Sequence, residues 1–383
     1  MLAGLSIIDC TGRLGWLAGR VLADLGGAVV KVEQPEADLS SCDWQALNVN
    51  KRLLRLDLQG PAAKPALDQL AADADILIAT PQPGDADQDL FDFERLSRLN
   101  PRLILVAITP FGLAGPKSQW RATDLEIMAA GGAMSLAGEP GGEPMRVSAP
   151  QSYAWAGAQA AVGATLALAA RARSGHGHLV DVSAQAAVIT ALAHAPTFVD
   201  IAGTTPTRAG AFMTGRSVAG AKYRVFWPCR DGSINFILYG GTAGRRTNEQ
   251  LVAWMREEGV DVGPLADIDW SKFDPTRASQ AEVDAMEAPI ANFLAGLEKR
   301  QFLEGAHRRE MLGYPVSTVK DIATDPQLQA RNFWQDVATA DGRTQRHCGA
   351  FYIRGGQRPP LIIYPASENG AMAMESKREP ASA

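Results

Sequence analysis

Cysteine is scarce in this chain. Its 383 residues hold four, Cys10, Cys42, Cys229 and Cys348, widely scattered and without a CxxC pair. That spacing gives neither a disulfide framework nor a zinc motif, and it fits a reducing cytoplasm. Histidine is sparse too, at five residues. His176 and His178 of HGH would share one side of an extended segment, but a turn leading into a strand accounts for them. No permanently bound metal or redox cofactor is therefore expected. No apolar run approaches the roughly 20 residues that a bilayer requires, so no membrane partner is expected. The start, MLAGLSIIDC, has no basic segment before its apolar residues and no cleavage pattern, and reads as a first strand. An excess of positive charge is also missing: 37 Lys and Arg stand against 42 Asp and Glu, a net charge of -5. That balance disfavours a general nucleic-acid binder. The turn after the first strand is TGRLG and lacks G-x-G-x-x-G, so a dinucleotide cofactor has weak support.

What is present is an ordinary globular composition, 46% apolar and 21% charged. The length is ample for two domains. Leu5 to Asp9 reads as a buried strand, and Leu14, Leu17, Ala18, Val21, Leu22 and Leu25 recur at helical spacing. Gly26-Gly27 ends that helix, and Ala28 to Val32 is a second strand. Such a βαβ unit implies parallel strands. Further strands are expected at Leu53 to Leu58, Asp75 to Ala79 and Leu103 to Thr109, with helices between them. The alternation predicts a doubly wound, Rossmann-like α/β sheet. Ligands of such sheets lie beyond the carboxyl ends of the strands, so Gly12, Gln82 and Phe111 face the ligand region.

The chain is organised around Gly142 to Ser183. A loop leads through Pro150 into a long Ala- and Gly-rich helix ending at Ser174-Gly175, followed by a strand at His178 to Val182. Small residues inside a helix let another backbone approach closely. The start of the helix offers free N–H groups and a positive dipole end, and Tyr153 sits there. Just upstream, Thr123 and Glu126 form a capping box, with Asp124 in the first turn. Ser183 to His194 reads as another helix, and TTPTRAGAFMTGRS near Thr204 as a linker. A smaller α+β domain follows. It has strands at Tyr223 to Trp227 and Ser233 to Leu238 joined by CRDG, a helix after Gly240-Gly241, and a mostly helical stretch from Trp270 to Lys299. From Arg346 to Ile363 a β-rich stretch returns to the sheet, and beyond Pro365 the tail is polar and expected to be mobile. The expected domains are 1–200, 205–312 and a returning segment 313–383.

A set of ordered strings, IIDCTG, LADLGGAVVKVEQP, LNVNKRLLRLDLQ, DILIATPQPG, LNPRLILVAITPFG, ATDLEIMAAGG, SGHGHLVDVS and VSTVKDIATDPQLQARNFW, resembles the class III CoA-transferase family, which includes the α-methylacyl-CoA racemases. No string decides alone, but together they cover nearly the whole chain. The resemblance implies a Rossmann-like large domain, a small domain, and two subunits interlocked like links of a chain. It implies acyl-CoA and a carboxylic acid as substrates, with coenzyme A not permanently bound. CoA contacts are implied at Leu56, Gln59, Gln88 and Arg121. Gln59 and Gln88 stand where the family usually has Lys and Arg, and Arg13, Lys51, Arg52, Arg121 or Arg146 are available to compensate. For each arginine alone, a solvated surface charge is the blander reading.

Transferases of this family use an Asp nucleophile that carries acyl and CoA groups in turn, and its racemases use a His–Asp pair of bases. The Asp aligns with Tyr153 and the His with Thr123. A phenol with a pKa near 10 is a poor acyl carrier, and Asp124 and Glu126 are explained by capping. The strings GRLGWLAGRVLADLGG, APQSYAWAGAQAA and GGTAGRRTNEQLVAWM resemble the heteromeric, benzylsuccinate-type branch, in which one subunit carries the Asp and its sister lacks it. The chain reads as the Asp-lacking type, with a substituted succinate as the acid and succinyl-CoA as a possible donor. Two alternatives stay open: a homodimeric acyl-CoA isomerase, racemase, lyase or transferase with a non-standard residue, and a non-catalytic CoA-binding protein.

Overall fold

The structure, a computed structural model, describes residues 1–82, 84, 88–215, 218, 220–339 and 342–364. The polar tail expected beyond Pro365 lies outside the described residues. The chain forms two compact units: Met1–Ser135, Met145–Pro206 and the chain from Pro326 onward in one, Leu136–Pro144 and Thr207–Asp325 in the other.

In the first unit the order is β1 (Ser6–Cys10), α1 (Trp16–Asp24), β2 (Ala28–Glu33), α2 (Cys42–Asn48), β3 (Lys51–Arg55), α3 (Ala63–Ala72), β4 (Ile76–Ala79), α4 (Phe93–Leu99) and β5 (Ile104–Thr109). Then come α5 (Asp124–Ala130), α6 (Ala133–Leu136), α7 (Gln151–Ser174), β6 (Leu179–Ser183), α8 (Ala184–Ala191) and α9 (His194–Ala202). Six strands form one parallel sheet in the order β3-β2-β1-β4-β5-β6. This is the doubly wound arrangement, with its topological switch between β1 and β4. β1, β4 and β5 are buried at every residue, as strands covered on both faces must be. Ile7 packs with Leu22 and Ala160 on one face, while its neighbour Ile8 packs with Leu67 and Leu77 on the other. Pleat alternation thus divides β1 between two cores.

Three charges lie inside this apolar frame. The side chains of Asp9 and Lys51 are 0% exposed, and that of Lys31 is 2% exposed. Lys51 Nζ donates to Asp9 Oδ2 (2.8 Å), Trp16 O (2.7 Å) and Asn48 Oδ1 (2.7 Å). Lys31 Nζ donates to Thr11 O (2.7 Å) and Val32 O (2.8 Å), with Glu33 Oε1 at 3.1 Å. A Cβ on Gly19 would stand 2.0 Å from Asp9 Oδ2, so α1 covers the network only because residue 19 has no side chain.

The small residues of α7 act as expected. A Cβ on Gly157 would stand 2.9 Å from Leu17 Cβ and 3.1 Å from Ala18 N, so α7 meets the α1 backbone directly. One expected helix, Ser183 to His194, is instead two, α8 and α9, bent by 66°. The bend falls at Leu192–Ala193, and α9 runs on to Ala202, nearly to the expected linker. Among the described residues no single helix is long and apolar enough to cross a membrane.

The second unit contains β7 (Phe212–Met213), β8 (Tyr223–Arg224), β9 (Phe226–Cys229), β10 (Gly232–Asn235), α10 (Gly241–Glu257), α11 (Gln280–Ala295), α12 (Lys299–Arg308), β11 (Tyr314–Pro315) and α13 (Val319–Ala323). The hairpin around Arg230-Asp231 exists, but its strands are β9 and β10, closer to the turn than expected. Tyr223 and Arg224 pair with Met213 and Phe212 instead. Pro228 is tolerated because β9 is an edge strand. The helix expected from Trp270 begins only at Gln280. Before it, Asp269 and Asp274 bind the N–H groups of Ser271 and Thr276 in side-chain turns that compete with helix. The core gathers Trp227, Trp254, Phe293 and Phe302, with Trp254 edge-on to Phe293 at 5.1 Å.

After α14 (Pro326–Ala330) the chain forms an antiparallel ribbon of β12 (Trp334–Ala338) and β13 (Thr344–Cys348). It does not join the six-stranded sheet, contrary to expectation. Side chains tie this segment down instead: Arg20 Nη2 donates to Cys348 O (2.8 Å) and Tyr352 Oη to Asp24 O (2.9 Å).

Glu287 on α11 is buried, and one oxygen accepts the N–H of Arg224 (2.7 Å). Burial pushes its carboxyl up to about 7. The folded state therefore holds a proton that the unfolded state has lost between about pH 4.5 and 7, so this group's contribution to stability falls as pH rises through that window. Glu287→Gln keeps an acceptor for Arg224 and removes the charge. Thermal melts should show the variant roughly 1–3 kcal/mol more stable than wild type at pH 8, with the gap closing towards pH 4.5.

Candidate functional site

Parallel strands deliver their carboxyl ends to one side of the sheet. Arg13 follows β1, Leu56 and Gln59 follow β3, a 3-10 turn starting at Gln88 follows β4, and Arg121 lies between β5 and α5. At the switch itself the Gly12 N–H donates to Thr80 Oγ1 (2.7 Å), joining the first residues beyond β1 and β4.

The starts of α5 and α7 cross, held together by side-chain hydrogen bonds. Tyr153 is the third residue of α7, half-buried, and its hydroxyl accepts the N–H of Asp124 (3.1 Å). In return Asp124 Oδ1 accepts the N–H (3.0 Å) and the hydroxyl (2.8 Å) of Ser152, a fully buried residue. Pro150 precedes α7 and has no side chain able to cap it. Asp124 supplies that cap from the neighbouring helix, where the positive dipole end also favours its charge. Glu126 accepts the N–H of Thr123 (2.7 Å) and its hydroxyl, the capping box read from the sequence. The Thr123 hydroxyl, then its N–H, holds the Glu126 carboxyl below its ordinary value.

Burial is the main influence on Tyr153 and holds its phenol above the ordinary value of 10.0. The hydrogen bond from the Asp124 N–H, and after it the charge of Arg13, act in the opposite sense. Arg13 also pairs with Asp43 at the start of α2. The structure thus gathers Thr123, Asp124, Ser152 and Tyr153, whereas the Arg13 guanidinium is bound to Asp43. Arg121 stands against the loop after β4, its Nη2 3.8 Å from where a Cβ on Gly84 would be. Leu56 and Gln59 are set apart, beyond the edge strand β3. The Leu56 N–H donates to Glu33 O (2.9 Å), and Gln59 is exposed.

Of the cations considered as compensating charge, Lys51 is ruled out, because all its N–H donors are spent in the buried network. The guanidinium of Arg52 stacks on the Tyr364 ring at 5.1 Å. Arg146 is exposed. The role of Lys51 was missed, although a signal existed. Asp9 and Lys31 each interrupt a strand that otherwise reads as core, and a buried charge needs a partner.

The model of CoA-transferase family III matches residues 2–366. The chain belongs to that family. Subunit BbsE of succinyl-CoA:(R)-benzylsuccinate CoA-transferase from Thauera aromatica is 32% identical over 345 residues, 86% of this chain and 82% of that one. Succinate–glutarate CoA-transferase from Agrobacterium fabrum is 28% identical and covers 94% of this chain, which spans 89% of it. Among solved structures, a CAIB/BAIF family protein from Brucella suis superposes with a TM-score of 0.75 at 23% identity, covering 98% of this chain and 99% of its own. That likeness speaks for the fold alone. CoA-transferases of family III take CoA thioesters as substrates.

Asp124→Ala should leave the N–H groups at the start of α7 uncapped and the Tyr153 side unchanged. Urea unfolding should register a loss of about 1–2 kcal/mol, the usual cost of a lost N-cap, whereas Asp124→Asn should lose less because an acceptor oxygen remains.

Proposed function

We propose that the chain is one subunit of a class III CoA-transferase that moves CoA between an acyl-CoA, succinyl-CoA being the first candidate, and a carboxylic acid such as a substituted succinate, without supplying the nucleophile itself. The observation that carries this reading is that each carboxylate at the crossing serves a helix start while the group at 153 is a phenol. Asp124 Oδ1 holds the N–H and hydroxyl of Ser152, Glu126 Oε2 caps Thr123, and burial moves the phenol of Tyr153 further above an ordinary value at which it is already neutral. Transfer needs a carboxylate that attacks the thioester carbonyl, releases CoA thiolate and forms a mixed anhydride. The thiolate then attacks that anhydride, frees the first acid and leaves CoA as an enzyme thioester for the second acid to take. A neutral phenol performs neither exchange well. The similarity to BbsE, itself one subunit of a transferase, supports the same division of labour.

In this reading Arg13, Leu56, Gln59, Gln88 and Arg121 line the CoA path along the carboxyl ends of the strands. With Gln at 59 and 88, Arg13 and Arg121 carry its positive charge. A sister subunit bearing the Asp completes the enzyme, in the interlocked dimer that the family resemblance implies and in the reducing cytoplasm that the scattered cysteines fit.

Co-expression with an Asp-bearing family member is the test. Tyr153→Phe should leave kcat of the assembled enzyme nearly unchanged. Tyr153→Asp should not create a second CoA thioester detectable by mass spectrometry after borohydride reduction, since Asp124 already occupies the helix start. A loss of roughly 10²-fold in Tyr153→Phe, the scale of an acid–base group, would assign chemistry to the phenol and favour a homodimeric acyl-CoA enzyme. CoA binding by the lone chain, with no turnover in any pairing, would favour a non-catalytic binding protein.

A further inference from the structure

We infer that Asp9, Lys31 and Lys51 are positioning residues: a buried charge network that fixes the backbone of residues 11–16, the loop that carries Arg13. The inference rests on the reading above only in taking Arg13 as part of the CoA path.

Both ends of the loop are held from beneath. At Thr11, Asp9 Oδ1 accepts the N–H (3.0 Å) and the hydroxyl (2.6 Å), while Lys31 Nζ donates to the carbonyl (2.7 Å). At the far end Lys51 Nζ donates to Trp16 O (2.7 Å). Between them the Gly12 N–H is tied to Thr80 and the Gly15 N–H to Gly12 O (2.9 Å). A Cβ on Gly15 would stand 2.6 Å from Thr11 Cγ2, so the turn closes tightly on itself. Arg13 and Leu14 are left at its apex.

Buried ion pairs are expensive, and well-packed apolar residues often replace them at no loss of stability. Core packing alone therefore does not call for three charges. What apolar side chains could not do is bind the carbonyls of Thr11 and Trp16. The donor count fits this role. An ammonium has three N–H groups, and Lys51 has three acceptors: Asp9 Oδ2, Trp16 O and Asn48 Oδ1. Once deprotonated it has two, and one acceptor is lost. The charged groups around Lys51 are Asp9, which favours its proton, Lys31 and Arg20, which oppose it, and Asp24, which feels its charge beyond Arg20. Burial dominates and brings the group down to about 8. The anchor is therefore complete below about pH 8 and is released above it.

Hydrogen exchange read on peptides spanning residues 11–17 tests this, with the amides of β4 and β5 as reference. In the wild-type chain, loop protection corrected for the intrinsic exchange rate should fall roughly tenfold from pH 7 to pH 9, about the effect of one charge-assisted hydrogen bond, with no change in the sheet. Lys51→Met alone strands the Asp9 charge and is expected to fold poorly. The pair Asp9→Asn with Lys51→Met removes both charges; it should fold, show a loosened loop already at pH 7 and lose the pH dependence. Loop protection that tracks the sheet in wild type and in the double variant would overturn the inference. In the assembled transferase the double variant should raise KM for the CoA thioester several-fold with kcat little changed. A loosened loop without that KM change would overturn the link to the site. Failure of the transferase reading itself would show separately, as no CoA transfer by the wild-type assembly, and would leave the exchange result standing.

Discussion

Three charges buried where β1, β2 and β3 lie side by side set the terms for the first unit. Once Asp9 is placed in the interior of β1 it must meet cations, and the parallel register brings Lys31 opposite it and Lys51 within reach. Burial by itself would push the Asp9 carboxyl up, but Lys51 and Lys31 outweigh it and hold the group below its ordinary value. Each member is then indispensable to the others, since a buried charge stripped of its partner costs about 3–5 kcal/mol. The constraint spreads outward. Residue 19 must be glycine for α1 to lie above Asp9. Asn48, at the end of α2, must turn its carbonyl oxygen to Lys51. The loop into α1 inherits its shape from these contacts.

A second constraint acts where α5 and α7 begin. Helix starts leave N–H groups without partners, and here the two helices exchange caps. Asp124 serves Ser152, and Tyr153 serves Asp124. The exchange sets Asp124 Oδ1 and the Tyr153 hydroxyl each against a backbone N–H of the other helix. It also joins the sheet to the long helix, because α7 lies against α1 through Gly157 and so bridges the buried network and the crossing.

Much of the architecture was legible because its cause is local. Continuous apolar runs such as Ile104–Thr109 can only be doubly covered strands, and Ala- and Gly-rich Gln151–Ser174 can only be a helix under close contact. The capping box at Thr123 was readable from residue spacing. The errors fall where a non-local partner or a turn decides. The register around Trp227 depends on its buried indole donating to Phe236 O (2.7 Å), a contact no window of sequence contains. Asp269 and Asp274 delay α11 by binding their own backbone. Lys51 looked like a surface cation because its partners lie 42, 35 and 3 positions away. The reciprocal caps at Asp124 and Tyr153 were invisible for the same reason: each residue has a sufficient local role, and the pairing adds a second.

In the reading proposed above, the two constraints together let the chain do without a carboxylate at residue 153. A carboxylate there would sit in the first turn of a long helix, where the positive dipole end favours it. Removing it should leave that helix start without its anionic partner. Here Asp124 provides the negative charge from another helix and binds the buried Ser152 N–H and hydroxyl. Residue 153 is thereby relieved of a structural duty and can be a phenol. The loop carrying Arg13 is held by Asp9, Lys31 and Lys51, none of which touches residue 153, so its shape does not depend on what stands there. In the proposed reading the scaffold charges are separate from the reactive one, so the latter can be absent while the fold, the helix crossing and the loop geometry persist, which is the condition a silent subunit must meet to keep pairing with a working one.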